Sequence, residues 1–276
     1  MKTKLLLYAL LGCVLISGCS TKQDAPPAGA GTAGAFPAGE WIDLSHAFSS
    51  ETIYWPTAQA FKKETVAEGM TEQGYYYSAY NFSAAEHGGT HLDSPMHFAQ
   101  GRNSVEKIPL SQTIGAAIKI DVSAKASVDR DYMVTVADFE SWESQHGRIP
   151  DGAIVLLQTG WARHWPDRLK YLGTDKLGEA GVAELHFPGL APDAAKWLVE
   201  SRRINAIGLD TPSIDYGQSK LFESHRVLMD KNIPAFENVA SLERIPATGA
   251  FVVALPMKIG GGSGAPLRIV ALVPGR

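Results

Sequence analysis

The segment Glu86-His87-Gly88-Gly89-Thr90-His91-Leu92-Asp93-Ser94-Pro95-Met96-His97-Phe98 holds three of the chain's eight histidines, at 87, 91 and 97, and an aspartate at 93. Imidazole nitrogen and carboxylate oxygen are ligands that suit Zn²⁺ or Mn²⁺. Two histidines and one carboxylate would leave coordination positions open for water and substrate, as a catalytic ion requires. Phasing decides whether the groups can converge. The His87–His91 spacing would serve on a helix, but Gly88, Gly89 and Thr90 between them are poor helix formers. In an extended chain the side-chain period is two, and all four positions are odd. His87, His91 and Asp93 then face one side. Pro95 cannot donate to a strand ladder, so His97 is expected just beyond a bend. One isolated histidine would read as a solvated or core residue, whereas this phased cluster reads as a metal site.

Such a cluster needs rigid elements around it. Short apolar runs at 116–122, 153–159, 205–209, 251–255 and 268–273 predict buried strands. The stretch 75–85, rich in aromatic and small residues, predicts an extended segment. Helices are expected at 136–146, 192–202 and 224–231. In the second, Pro192 suits the first turn, and Ala195, Leu198 and Val199 share a face. The mixture predicts one α/β or α+β domain built on a substantial sheet.

With 276 residues, 45% hydrophobic and 20% charged, the chain can bury a full core. Its net charge is -4, and no Lys/Arg cluster occurs, which argues against a nucleic-acid partner. The start of the chain reads differently. Lys2 and Lys4 precede an apolar run over 5–16 that is too short to span a bilayer comfortably. Ile16-Ser17-Gly18-Cys19 follows and resembles the lipobox of bacterial lipoproteins. The expected organisation is a signal peptide over 1–18, a lipidated Cys19, a flexible tether over 19–39 and one domain over 40–276. The domain would be exported and lipid-anchored to the bacterial cell envelope, outside the cytoplasm. The two cysteines, Cys13 and Cys19, both precede the domain, which therefore carries no thiol.

His87-x-Gly89-Thr90-His91-x-Asp93-x-Pro95-x-His97-Phe98 resembles the signature of the cyclase family of metal-dependent hydrolases, which includes bacterial kynurenine formamidases and isatin hydrolases. The similarity extends from Ile42-Asp43-Leu44-Ser45 through Gly208-Leu209-Asp210-Thr211-Pro212-Ser213-Ile214-Asp215 to the glycine-rich stretch 258–266. The resemblance implies a sheet-centred swivelling β/β/α domain and a homodimer or homotetramer. It implies that His87, His91 and Asp93 hold a metal and that His97 is the acid/base. Formamidase-like members add a His and, twelve residues on, a Glu that help hold a second ion. His225 and Glu237 match that spacing. Isatin-hydrolase-like members can use fewer ions, so one or two Zn²⁺ or Mn²⁺ are expected.

Other residues carry weaker expectations. Trp55, Tyr80 and Phe82 are candidates for an aromatic substrate wall. Asp210 and Asp215 read as turn or supporting residues. The run 260–264 lacks the spacing of a phosphate loop, but its amides could line a pocket or donate to an oxyanion. The chemistry implied is attack of metal-activated water on an amide carbonyl, with His97 moving the proton. The substrate would be an aryl formamide such as N-formylkynurenine or a cyclic amide such as isatin. Alternatives are a lactone or ester hydrolase, or an exported metal-binding lipoprotein without catalysis. No Gly-x-Ser-x-Gly elbow is present.

Overall fold

The computed structural model of the protein describes residues 38–275. The expected leader, Cys19 and nearly all of the tether lie outside the described residues. The strands are β1 (Gly39–Asp43), β2 (Lys62–Met70), β3 (Tyr76–Ser83), β4 (His91–Asp93), β5 (Ile114–Asp121), β6 (Met133–Val134), β7 (Ile154–Gln158), β8 (Gly189–Leu190), β9 (Ala206–Leu209), β10 (Ala235–Glu237), β11 (Ala250–Pro256) and β12 (Gly264–Pro274). The α-helices are α1 (Ser123–Ala126), α2 (Val136–His146), α3 (Arg168–Leu172), α4 (Gly178–Val182), α5 (Pro192–Ser201) and α6 (Glu223–Asp230).

Eight strands form one mixed sheet in the order β1-β12-β11-β5-β7-β9-β10-β4, and β4 pairs back to β12. The sheet thus closes on itself, with β1 attached beside the closure. Strands β5, β7, β9 and β10 run parallel. Closure depends on the 11-residue length of β12. Its first residues, Gly264 to Pro266, pair with β4, while Leu267 to Leu272 pair with β11.

The central apolar runs, β7 and β9, are covered on both faces, whereas the run expected to be buried at 251–255 buries only one face, leaving Phe251 and Leu255 exposed. On β7, Ile154 and Leu156 enter the core enclosed by the sheet, with Leu92, Phe236 and Ile269. The alternate residues Val155 and Leu157 meet the helices, among them Phe139 of α2 and Leu198 of α5. Helix α2 starts where expected because the Asp138 carboxylate accepts from the Thr135 N–H at 2.7 Å. Helix α6 buries Ser224, His225, Leu228 and Met229, so its core-facing side also carries a histidine.

Strands β2 and β3 form a separate two-stranded ribbon. Most residues of both strands are exposed. No helix among the described residues is long and apolar enough to cross a membrane.

Candidate metal centre

Strand β4 is three residues long and is hydrogen-bonded on both sides, to β10 and to β12. Alternation sends Leu92 into the enclosed core and leaves His91 and Asp93 on the opposite face. Register then places Glu237 directly across from His91. Two glycines let the chain enter this strand past Tyr54: a Cβ at Gly88 would lie 2.1 Å from the Tyr54 ring. His97 follows Pro95 in a short 3-10 turn, as the bend required. Helix α6 delivers His225 from the other side.

All six expected ligand and acid/base residues converge. His87 Nδ1 lies 2.6 Å from Asp93 Oδ1, and His91 Nε2 lies 3.1 Å from the same oxygen. His91 Nε2 is also 3.4 Å from Glu237 Oε2. His225 Nε2 is 3.3 Å from Asp93 Oδ2 and 3.2 Å from Glu237 Oε1. The His97 ring stacks on His87 with centroids 3.8 Å apart. Two three-residue groups have ligand atoms close enough to share an ion: His87, Asp93 and His97, and His91, Asp93 and Glu237. Asp93 belongs to both.

The donor set fits a cation. His91 Nδ1 sits 2.9 Å from the Gly89 carbonyl, an obligate acceptor, so Nδ1 carries the proton. Nε2 is then a lone pair, buried and in no hydrogen bond among the described residues. His225 repeats the pattern: Nδ1 is 2.5 Å from Asp215 Oδ2, and Nε2 faces Asp93 and Glu237. Acceptors that face acceptors in a buried site need a cation or a proton between them. The expectation that Asp215 is a supporting residue holds in this contact. Asp210 instead accepts from the backbone N–H groups of Thr159 and Trp161, fixing the turn after β7.

The cluster forms the floor of a cavity of about 290 Å³ walled by Tyr54, Trp55, Phe98 and Phe222. Trp55 therefore stands where expected, whereas Tyr80 and Phe82 do not. Both lie on the exposed ribbon, where pairing with β2 carries them away from the cavity. There Lys63 Nζ sits 3.7 Å from the Tyr80 ring centroid, and Phe82 stacks on Phe61. The last residue of that stretch to reach the wall is Ala85. Phe98 and Phe222 are wall residues that the sequence reading missed. Phe98 directly follows His97, and Phe222 lies one turn before His225, so proximity to the ligands was the available signal. The glycine-rich run also departs from expectation. Its amides do not line the cavity: Gly261 donates to Glu106, and Ser263 and Gly264 donate to Glu86.

The sequence model of the family described as "Putative cyclase" matches residues 42–216. The chain belongs to the cyclase family. Isatin hydrolase of Roseibium aggregatum is 32% identical over 197 residues, covering 68% of this chain and 72% of the relative. Kynurenine formamidase of Salinibacter ruber is 27% identical over 240 residues, covering 83% and 95%. The structure of isatin hydrolase A from Ralstonia solanacearum superposes with a TM-score of 0.77 at 34% identity, covering 85% of this chain and 92% of that one. The closed mixed sheet with helices on its outer face is the cyclase fold.

Protons hold this cyclase site together when no cation does. Burial disfavours any charge on Asp93, yet the neighbouring His87 and His91 hold its carboxyl well below the usual range. Burial, and then the charge on Asp93, push Glu237 up. Burial lowers the His91 pKa, but the attraction of Asp93 and Glu237 outweighs it and raises the value to about 9. His91 therefore stabilises the metal-free protein fully below its ordinary pKa of 6.5, and that contribution fades as pH rises through about 9. A cation binds only the neutral imidazole. Titrating Zn²⁺ into metal-free protein near neutral pH should release protons, and affinity should increase with pH up to about 9. A pH indicator in weakly buffered solution measures this; binding without proton release would show that His91 is already neutral.

Proposed function

We propose that this chain is an exported metal-dependent hydrolase that opens the amide C–N bond of a flat aromatic cyclic amide, of which isatin is the type. The supporting observation is the set of mutually facing imidazole and carboxylate acceptors at the floor of a small aromatic-walled cavity. His87, His91, Asp93, His225 and Glu237 would hold the ion, and this donor set suits both Zn²⁺ and Mn²⁺. When bound, the ion lowers the pKa of a water molecule toward neutrality and polarises the substrate carbonyl. Trp55, Phe98 and Phe222 hold the aromatic ring and exclude water. Burial holds the His97 pKa down to about 4, so its imidazole is neutral near pH 7. His97 takes up the proton of the attacking water and returns it to the leaving nitrogen. The greater identity to isatin hydrolases favours the cyclic amide. An aryl formamide such as N-formylkynurenine is the second reading, because His225 and Glu237 are both present and close to Asp93.

The tests separate these roles. Replacing His91 with Ala should strip metal. Replacing His97 with Ala should leave the metal bound and slow turnover by roughly 10²–10⁴-fold, the usual worth of acid/base assistance. Elemental analysis beside turnover on a panel of lactams, formamides and lactones reads both effects. Near-normal turnover of His97→Ala would remove His97 from the mechanism, and metal loss equal to that of His91→Ala would make it a ligand.

The anchor and the assembly belong to the same proposal. Cys19 becomes the lipidated first residue of the mature chain. Mass spectrometry of the native protein should find an acylated Cys19, and a mature chain that starts elsewhere without lipid would overturn the anchor. A homodimer, or a homotetramer built from it, is favoured by the ribbon. A two-stranded ribbon is marginal alone in water. Here Val66, Met70, Tyr75, Tyr76, Tyr77, Tyr80 and Phe82 are each 38–68% exposed. On the Tyr80 face, Met70, Tyr76, Tyr80 and Phe82 expose on the order of 400 Å² at roughly 200 Å² per large side chain, about half of what one partner contributes to a standard interface. Lys63 near the ribbon's root and Glu68 nearer its tip lie on the Tyr80 face. Two ribbons packed antiparallel about a two-fold axis set the lysine of each copy against the glutamate of the other. Lys63→Glu should dissociate the dimer in sedimentation analysis, and adding Glu68→Lys should restore it. A chain that is monomeric before any substitution would end the reading.

A further inference from the structure

We infer that Glu86, acting through Ser263, fixes the tautomer of His87 and makes Nδ1 the atom that His87 presents to the metal; this rests on the metal-centre reading above. Hydrogen-bond polarity carries the argument. One oxygen of Glu86, Oε2, receives the Ser263 N–H at 3.0 Å, the Gly264 N–H at 3.3 Å and the Ser263 hydroxyl at 2.6 Å. An oxygen that meets two backbone donors is an acceptor, so the hydroxyl proton points to it. Serine has one hydroxyl proton. The Ser263 oxygen therefore offers only a lone pair to His87 Nε2, 2.9 Å away. Nε2 must carry the proton, and Nδ1 is left to face Asp93 Oδ1 and the ion.

The same sense of orientation holds at the other two histidines. The Gly89 carbonyl takes the outer proton of His91, and Asp215 takes that of His225. In each case an acceptor outside the cluster holds a proton away from it and turns a lone pair inward, as is usual for metal-binding imidazoles. His87 differs only in that a hydroxyl stands between ring and carboxylate. The surrounding loop is built to hold that hydroxyl. The Ser94 N–H, next to Asp93, donates to the Ser263 carbonyl at 2.8 Å, and Glu106 holds the Gly261 N–H at 2.9 Å. Residue 264 must lack a side chain, because a Cβ there would lie 2.5 Å from His87 Cε1. The glycine-rich run thus serves the metal centre from behind, as a positioning loop whose working residue is Ser263.

The test uses the full-length chain in detergent, and its readouts do not depend on turnover. Zn²⁺ affinity is measured by competition with a chromophoric chelator. In the ¹⁵N spectrum of labelled histidine, Zn²⁺-loaded protein should show His87 protonated at Nε2 and metal-bound at Nδ1. Ser263→Ala should weaken Zn²⁺ binding by roughly 10–100-fold, the usual effect of removing such a partner. Ser263→Thr, which keeps the hydroxyl, should restore it. A merely structural serine would instead lower the melting temperature of the metal-free chain and leave affinity unchanged. Unchanged affinity in Ser263→Ala, or a His87 metal-bound at Nε2, overturns the inference. If Ser263→Ala fails to fold, the spectrum of the unsubstituted protein decides alone. His91→Ala is the control: if it binds Zn²⁺ as tightly as the parent chain, the metal-centre reading has failed rather than the role of Ser263.

Discussion

The centre depends on closure of the sheet at β4. Three residues, His91, Leu92 and Asp93, are hydrogen-bonded to β10 on one side and to β12 on the other. That double pairing does two things at once. It commits Leu92 to the enclosed core, so a one-residue slip would exchange a leucine for a histidine or an aspartate in an apolar interior. It also brings the Glu237 carboxylate beside His91 and places Gly264 behind His87. Glu237, distant in sequence, becomes a neighbour of His91 because register, not loop chance, sets its position.

Buried like-seeking-like contacts then define the chemistry. Asp93 and Glu237 are both buried, and three imidazoles turn toward them. The neighbouring His87 and His91 hold the Asp93 carboxyl down against its burial, whereas burial and then the charge on Asp93 push Glu237 up. His91 and His225 compensate by holding protons, and a divalent ion would replace those protons. Each imidazole is held from outside by a carbonyl, a carboxylate or a hydroxyl. The floor is therefore polar and preorganised, while the Trp55, Phe98 and Phe222 walls are apolar. An aromatic amide would find its ring desolvated and its carbonyl directed at the ion.

Much of this was legible in the residues themselves. The odd-numbered phasing of His87, His91 and Asp93, and the break imposed by Pro95, are local facts of chain geometry. So were strands β5, β7, β9, β11 and β12 and helices α2, α5 and α6, although β11 buries only one of its faces. The family signature added His225 and Glu237, which spacing alone would not have distinguished from a core histidine and a solvated acid. The aromatic stretch 75–85 was legible as extended, but its destination was not. An alternating pattern says which residues share a face, not what that face meets, so Tyr80 and Phe82 pointed equally well to a cavity or to open surface.

Only the tertiary structure decided the rest, and for one physical reason. Local sequence controls backbone propensity and side-chain period, whereas a site is made by contacts between segments whose separation no local rule encodes. The closing pair β4–β12, the placement of Phe222 in the wall and the hold of Asp215 on His225 are all such contacts. The glycine-rich run shows the difference most plainly. Its composition announced a backbone that comes close to something. That the something is the ring of His87, with Ser263 set against Nε2 and Glu86 behind it, follows from packing that the closed sheet alone brings about.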